Sequence, residues 1–321
     1  MNVHIVHLPH TFPYLLNLSL AFHQHGFERV TLVANGFDQQ QFQQLQELTA
    51  AYDFVRLLDI PSKRILSHGQ ALNHAFAVSD DRYFCFADHD IFPTQNLADL
   101  IGEHTAKHDV VCFGDRPENT AVDYKGFAAS ATRTQSGTPL ATSFFSVYNR
   151  AATSAAMAQQ NIGFEQYFRR SQMPGNWAKH PDIAMLKEPF LVDTCKLLSL
   201  VMHQMDCSVS HLGEGYVCHL GGLCGAINRY TNSGKKQVKI FSINDVPNEN
   251  ELHEYYQLHQ KRHPKVMEIK RAISDYALQL LIAHQGGKEL PQFQVEHEMI
   301  RSAVTSIEQE TALVFKSTPL L

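Results

Sequence analysis

The first 113 residues alternate short apolar runs with longer amphipathic ones, and this alternation restricts the chain to a helix-covered sheet. Val3 to Leu8 reads as a strand ending at Pro9, and Tyr14 to His25 as a helix with Gly26 behind it. Arg29 to Ala34 is a second strand before the turn Asn35-Gly36, Gln39 to Ala51 a Gln-rich helix, and Phe54 to Ile60 a third strand stopped by Pro61. Ser67 is placed to cap a helix running to about Val78, with Leu72, Ala75 and Phe76 on its buried side. Arg82 to Ala87 is a very apolar strand, Leu97 to Lys107 a helix, and Val110 to Phe113 another strand. A β-α-β-α order of this kind predicts a mainly parallel sheet with helices on its faces. Ligands of such sheets gather beyond the carboxyl ends of the strands.

The remainder is less regular. Pro117 to Pro139 is rich in Gly, Ser, Thr and Ala and reads as a long loop with some strand. Thr142 to Tyr148 looks like a strand and Arg150 to Gln160 a helix, while Ser171 to Asp182 is irregular. Thr194 to Met205 is an amphipathic helix, and Ser208 to Leu212 and Tyr216 to His219 are short strands. Helices are expected from Glu251 to about His284 and, after Gly286-Gly287 and Pro291, to about Val314. No internal repeat is visible.

Composition narrows the function classes. The 321 residues are 44% apolar and 18% charged, enough for a large core and unlike a disordered chain. A net charge of −5 argues against broad phosphate neutralisation on a nucleic acid. No two of the six cysteines form a CxxC pair, and several sit in apolar runs, so neither a zinc ribbon nor a disulfide scaffold is expected. No apolar run approaches the roughly 18 residues of a membrane span, and His7, Pro9, His10 and Pro13 interrupt the N-terminal one. A soluble cytoplasmic protein is the expectation, with peripheral membrane contact left open.

The first chemical signal is Asp88-His89-Asp90 at the end of the buried strand. Two carboxylates flanking one residue at the mouth of a parallel sheet suit a hard cation, Mg²⁺ or Mn²⁺, on a diphosphate. Alone the tripeptide is weak, because sixteen Asp residues produce about one such match by chance. A solvated turn explains it equally well.

Context adds to it. The helix Ser67-His68-Gly69-Gln70-Ala71-Leu72-Asn73-His74-Ala75-Phe76, the strand Tyr83 to Ala87 and the Asp-x-Asp follow in the order that resembles GT-A glycosyltransferases of the family 2 type. Phe145-Ser146-Val147-Tyr148-Asn149-Arg150 is similar to the strand and Arg that open the acceptor half of that group. Val192-Asp193 is similar to its acidic segment, whose Asp is the catalytic base, and His219-Leu220-Gly221-Gly222 to the segment that supplies a further metal ligand. The resemblance covers about residues 1–225. It implies a GT-A-like, Rossmann-type mixed α/β sheet flanked by helices in residues 1–240, divided into a nucleotide-sugar half (1–115) and an acceptor half (116–240). Residues 241–321 would be a helical C-terminal extension.

The implied activity is a metal-dependent, inverting transfer of a sugar from a nucleotide-sugar donor, a UDP-sugar favoured, to a carbohydrate or other hydroxyl acceptor. Asp193 is the expected base, and Asp88, Asp90 and His219 the expected ligands of Mn²⁺ or Mg²⁺. The donor is expected against Pro9, Asn35, Asp38, Lys63, Arg64, Asn73 and Asp88. Two departures stand out. Ala34 replaces the family Asp that contacts the base, so recognition falls to Asn35 or Asp38, and Val192 replaces the Glu before Asp193. Several positions have plain structural alternatives. Lys63 and Arg64 fit an exposed loop as well as a diphosphate. Asp193 fits a helix cap, His219 a core histidine, and Trp177 either a core residue or a sugar platform. Asp182 is the reserve base, and Asp115 and Arg116 end a strand near the expected cleft. Two other function classes remain, a nucleotidyltransferase and a non-catalytic nucleotide-sugar or glycan binder. The first lacks a Gly-rich basic loop, because His7-Leu8-Pro9-His10-Thr11 is not one.

Overall fold

The computed structural model describes residues 1–62, 64–114, 126–213, 215–243, 248, 250–251 and 264–317. The N-terminal half runs β1 (Asn2–His7), α1 (Phe12–Gln24), β2 (Arg29–Ala34), α2 (Gln39–Thr49), β3 (Val55–Asp59), α3 (His68–Val78), β4 (Tyr83–Ala87), β5 (Ile91–Pro93), α4 (Ala98–Thr105) and β6 (Val110–Phe113). It continues through β7 (Gly126–Phe127), β8 (Phe145–Asn149), α5 (Arg150–Gln160), α6 (Pro181–Ala184), β9 (Leu191–Val192), α7 (Lys196–Gln204), β10 (Val209–Leu212), β11 (Val217–His219) and α8 (Leu223–Asn232). Last come β12 (Ile240–Ser242), α9 (Pro264–Gln285), β13 (Gln292–Gln294) and α10 (Glu298–Ser317).

Seven strands form one sheet in the order β10-β6-β8-β4-β1-β2-β3. All neighbours are parallel except β8, which runs antiparallel to both β4 and β6. This is the expected mixed α/β sheet flanked by helices. Alternating side chains of each strand feed opposite faces. Phe84 and Phe86 of β4 join Leu72 and Phe76 of α3 and Leu197 and Val201 of α7. Cys85 and Ala87 join Leu16 and Leu20 of α1 and Ile101 of α4 on the other side. Burial on both faces explains why Phe84 to Ala87 is apolar without alternation.

The registers open several strands toward one edge. His7 pairs with Ala34 and Ile5 with Ala87, so β1, β2 and β4 all deliver their carboxyl ends there. Two small ribbons sit beside the sheet. β11 runs antiparallel to β5, placing His219 opposite Ile91. β7 pairs parallel to β9, and a Cβ on Gly126 would fall 1.9 Å from the Leu191 carbonyl oxygen, so only glycine fits there.

The C-terminal helices are built into the packing. Leu15, Leu18 and Ala21 of α1, Phe92 of β5, Leu223 and Ile227 of α8, Ala277, Leu278 and Leu281 of α9 and Val314 of α10 share one buried cluster. Arg229 of α8 donates through Nε to both carboxylate oxygens of Asp275 on α9, at 2.9 and 3.1 Å. The parallel pair β12–β13 was not expected, because three-residue strands carry too little periodicity to read. The helix expected from Thr194 begins at Lys196 because Cys195 is left-handed at φ 63°. Among the described residues no helix is long and apolar enough to cross a membrane.

Candidate active site

The turn after β4 is fixed from several directions. The Asp88 amide donates to the Phe144 carbonyl at 2.7 Å, and the Ile91 amide closes the turn onto the Asp88 carbonyl at 3.3 Å. His89 points inward. Its Nδ1 lies 2.9 Å from the Val6 carbonyl and its Nε2 3.1 Å from the Cys224 sulfur. A carbonyl only accepts, so Nδ1 carries the proton and Nε2 accepts from the thiol. Burial pushes that thiol up to about 12, which keeps it a donor. The middle residue of the tripeptide thus pins the turn to β1 and to the start of α8, and leaves both carboxylates to the cleft.

Asp88, Asp90 and His219 each offer a ligand atom, and these atoms all lie within 4.8 Å of one another. His219 Nε2 is 3.5 Å from Asp90 Oδ1. The Leu220 amide donates to the Asp90 carbonyl at 3.0 Å, and Gly221 and Gly222 turn with φ of 59° and 72° into α8. Burial and the neighbouring Asp90 push Asp88 well above the usual carboxylate range. Burial pushes Asp90 the same way, but the hydrogen bond and charge of His219 outweigh it and bring Asp90 down to about 2. The two carboxylates are therefore split into a readily ionised one and a reluctant one.

A cleft of about 300 Å³ adjoins the cluster, lined by Asp88, Asp90, His89, His68, Asn35 and Cys224 and by the apolar Val6, Leu8, Ile65 and Leu66. His68 opens α3 and sets Nε2 3.5 Å from Asp88 Oδ1. Burial drives its imidazole down to about 4, so it is neutral at pH 7. Asp193 follows β9, with its amide on the Phe127 carbonyl at 3.0 Å. It is not among the residues that line the cleft, and its link to Asp88 is by charge alone. Burial pushes its carboxyl up, opposed by the Thr194 amide, Lys196 and the Ala129 backbone. It does not cap α7. Its Oδ1 accepts from the adjacent Thr194 amide at 2.8 Å, and no side chain caps that helix.

The other expected residues fall in different places. Asn35 lines the cleft, but its amide is committed to the Leu66 backbone, donating to the carbonyl and accepting from the amide at 2.9 Å each. Asp38 is exposed and caps α2 through the Gln41 amide. Asn73 is not among the residues lining the cleft, and it accepts from the Phe164 amide at 2.8 Å and donates to Glu165. Pro9 sits half-buried in the turn after β1, outside the lining, and Arg64 is exposed beside Ile65. Trp177 is a core residue, 6% exposed, with its indole N–H on Gln160. Asp182 is buried and accepts from Ser136 Oγ at 2.8 Å. Lys63, Asp115 and Arg116 lie outside the described residues.

Sequence reasoning missed His68 as a cleft residue, the His89–Cys224 contact and the buried Lys196. His68 stood in the quoted helix, but nothing in its spacing separates it from His74. Cys224 meets His89 only through the fold.

No protein-family model matches the chain, and no curated protein sequence does. Among solved structures it is similar to the mannosyltransferase PcManGT from Pyrobaculum calidifontis in complex with GDP-Man and Mn²⁺, at 11% identity over 98% of this chain and 86% of that one, with a TM-score of 0.45. It is similar to the galactosyltransferase LgtC in complex with donor and acceptor sugar analogs, at 9% identity over 100% and 97%, TM-score 0.43. A 1–349 fragment of S. aureus TarS in complex with UDP-GlcNAc matches at 12% identity over 98% and 90%, TM-score 0.42. At such identities and TM-scores these likenesses assign no role to any residue of this chain.

Proposed function

We propose that this chain is a metal-dependent, inverting glycosyltransferase that moves a sugar from a nucleotide-sugar donor to a hydroxyl acceptor. The observation that carries the reading is the convergence of Asp88, Asp90 and His219 within 4.8 Å at the carboxyl edge of the sheet, beside a cleft of about 300 Å³. The donor set fits a divalent cation. Two carboxylates and one imidazole suit Mn²⁺, which accepts nitrogen more readily than Mg²⁺ does. Burial and the charge of Asp90 hold Asp88 high, and a cation held by these residues would favour its ionised form. When bound, the cation would offset the negative charge that develops on the departing diphosphate.

The remaining steps belong to the chain's own residues. Asp193 would take the proton of the acceptor hydroxyl as its oxygen forms the new bond to the anomeric carbon. The bond from that carbon to the diphosphate oxygen breaks on the opposite face, and its electron pair leaves with the nucleoside diphosphate. One displacement of this kind inverts the anomeric centre. A carboxylate raised by burial is a stronger base than a solvated one. Leu8, Ile65 and Leu66 would form an apolar wall for the nucleoside, and Asn35, by fastening Leu66, would hold that wall in place. A UDP-sugar is the donor we favour and a carbohydrate the acceptor. Residues 1–240 would carry the chemistry, with the C-terminal helices backing the β5–β11 ribbon. Six free thiols suit a reducing compartment such as the cytoplasm.

The test is incubation of the full chain with UDP-, GDP- and dTDP-sugars and Mn²⁺, with chromatography of the nucleotide products. Nucleoside diphosphate that appears with Mn²⁺ and stops with EDTA supports the proposal. Pyrophosphate or a nucleoside triphosphate would make it a nucleotidyltransferase. Saturable donor binding with no turnover would make it a binder.

A further inference from the structure

Lys196, the first residue of α7, is fully buried at 0% exposure. Its ammonium donates to the carbonyls of Ala129 at 2.9 Å, Ala131 at 2.7 Å and Ala141 at 2.5 Å. An ammonium has three N–H donors, so the set is complete, and among the described residues no carboxylate lies within ion-pair distance of it. Burying an ion without a direct counter-charge costs several kcal/mol. An apolar side chain at the start of α7 would avoid that cost, so packing alone gives no reason for a lysine here.

The residues just before it are tied to the same loop. The Asp193 amide donates to Phe127 at 3.0 Å, Ser143 Oγ donates to the Thr194 carbonyl at 2.6 Å, and the Cys195 thiol donates to the Thr142 carbonyl at 3.4 Å. The Ala129 carbonyl that accepts from Lys196 also accepts from the Ser143 amide at 3.1 Å. The Lys196 amide donates back to the Asp193 carbonyl at 3.1 Å. Lys196 thus closes a cradle in which Asp193 sits.

We propose that Lys196 is a positioning residue for Asp193, clamping the 129–141 loop to α7 so that the segment carrying the carboxylate is held in place. Its catalytic consequence rests on the proposed role of Asp193 as base, while the coupling between the two side chains does not. Among the described residues, the titratable groups that act on Asp193 are Asp88 at the end of β4, Cys195 and Lys196. Those facing Lys196 are Asp193, Cys195, Cys112 on β6 and His211 on β10. In the first set Lys196 is the one cation, so it alone favours the ionised carboxylate by charge.

Lys196→Met keeps the length of the side chain and removes the charge. The expected result is unchanged donor binding and a kcat lower by about tenfold or more, part of the 10²–10⁴ that a general base contributes. The acid limb of the rate profile moves to higher pH, because Asp193 binds its proton more tightly. A kcat loss with an unmoved acid limb would make Lys196 a packing residue and overturn the proposal. If Lys196→Met does not fold, the coupling is read from the other side. Coupling is reciprocal, so Asp193→Asn in the full chain must lower the Lys196 pKa, followed by ¹⁵Nζ NMR. An unchanged lysine titration rejects the coupling. This readout needs no turnover, so it survives a failure of the transferase reading and is separable from it.

Discussion

His219 Nε2 lies 3.5 Å from Asp90 Oδ1, and backbone pairing sets the contact up. β11 runs antiparallel to β5 with His219 opposite Ile91, the residue after Asp90. The cluster of C-terminal helices stands behind that ribbon through Phe92, Cys218 and Leu220. Two carboxylates that follow β4 of the central sheet thereby meet an imidazole at the end of β11.

Burial, and after it the charge of Asp90, disfavours the ionised form of Asp88. Its folded pKa is raised above the unfolded value. Its contribution to stability is therefore present below the unfolded pKa and is lost as pH rises through the folded one. Asp88→Asn should stabilise the metal-free protein at pH 8, by on the order of 1 kcal/mol, and have little effect at pH 4. The same variant should lose most of the Mn²⁺-induced rise in Tm. Thermal denaturation at both pH values checks this, and a destabilised metal-free variant at pH 8 would contradict it.

Asn35 is a clasp. Removing its amide leaves the Leu66 amide and carbonyl unpartnered at the cleft wall. Asn35→Ala should cost about 1–3 kcal/mol and raise the KM for donor more than it lowers kcat. Urea denaturation and steady-state kinetics measure the two effects. An unchanged KM would detach the 65–66 wall from donor binding.

Much of the fold could be read from the sequence because its signals are local. Strand β2, strand β6 and helix α5 have the expected bounds, and Ser67 caps α3 through the Gln70 amide as the hydroxyl before an apolar helix predicts. Asp88 and Asp90 are legible as a strand end and His219 through the family resemblance, and the fold brings the three side chains together. The donor contacts were less legible. Whether the amides of Asn35 and Asn73 face a ligand or a backbone depends on Leu66 and on the 163–165 segment, which pack against them from elsewhere in the chain. Lys196 lay hidden in an ordinary amphipathic helix, because its carbonyl partners sit far away at positions 129 to 141. Trp177 resolved as core because its loop folds back onto Gln160.

Among the described residues, none from α9 or α10 lines the cleft or joins the Asp88, Asp90 and His219 cluster. Leu281 is fully buried against α1 and α8. Leu281→Ala should cost about 2–5 kcal/mol and leave Mn²⁺ affinity in the folded protein nearly unchanged. Chemical denaturation and metal titration separate the two. A folded variant with lost metal affinity would show that α9 acts on the site directly.

Asp193→Asn keeps the shape of the side chain and cannot accept a proton. Turnover should fall by roughly 10²–10⁴ with donor binding unchanged. Because burial raises the Asp193 pKa, the acid limb of the wild-type profile should lie above the ordinary aspartate range. Near-normal turnover, or a product that keeps the donor's anomeric configuration, would transfer the base role elsewhere.

The most direct test of the account is isothermal titration of Mn²⁺ into the wild-type protein and Asp90→Ala, each with and without uridine diphosphate. The account predicts one Mn²⁺ per wild-type chain, tighter binding when the diphosphate is present, and both effects lost in Asp90→Ala. Equal Mn²⁺ binding by the two proteins, or wild-type binding indifferent to the diphosphate, would contradict a catalytic metal site at Asp88, Asp90 and His219.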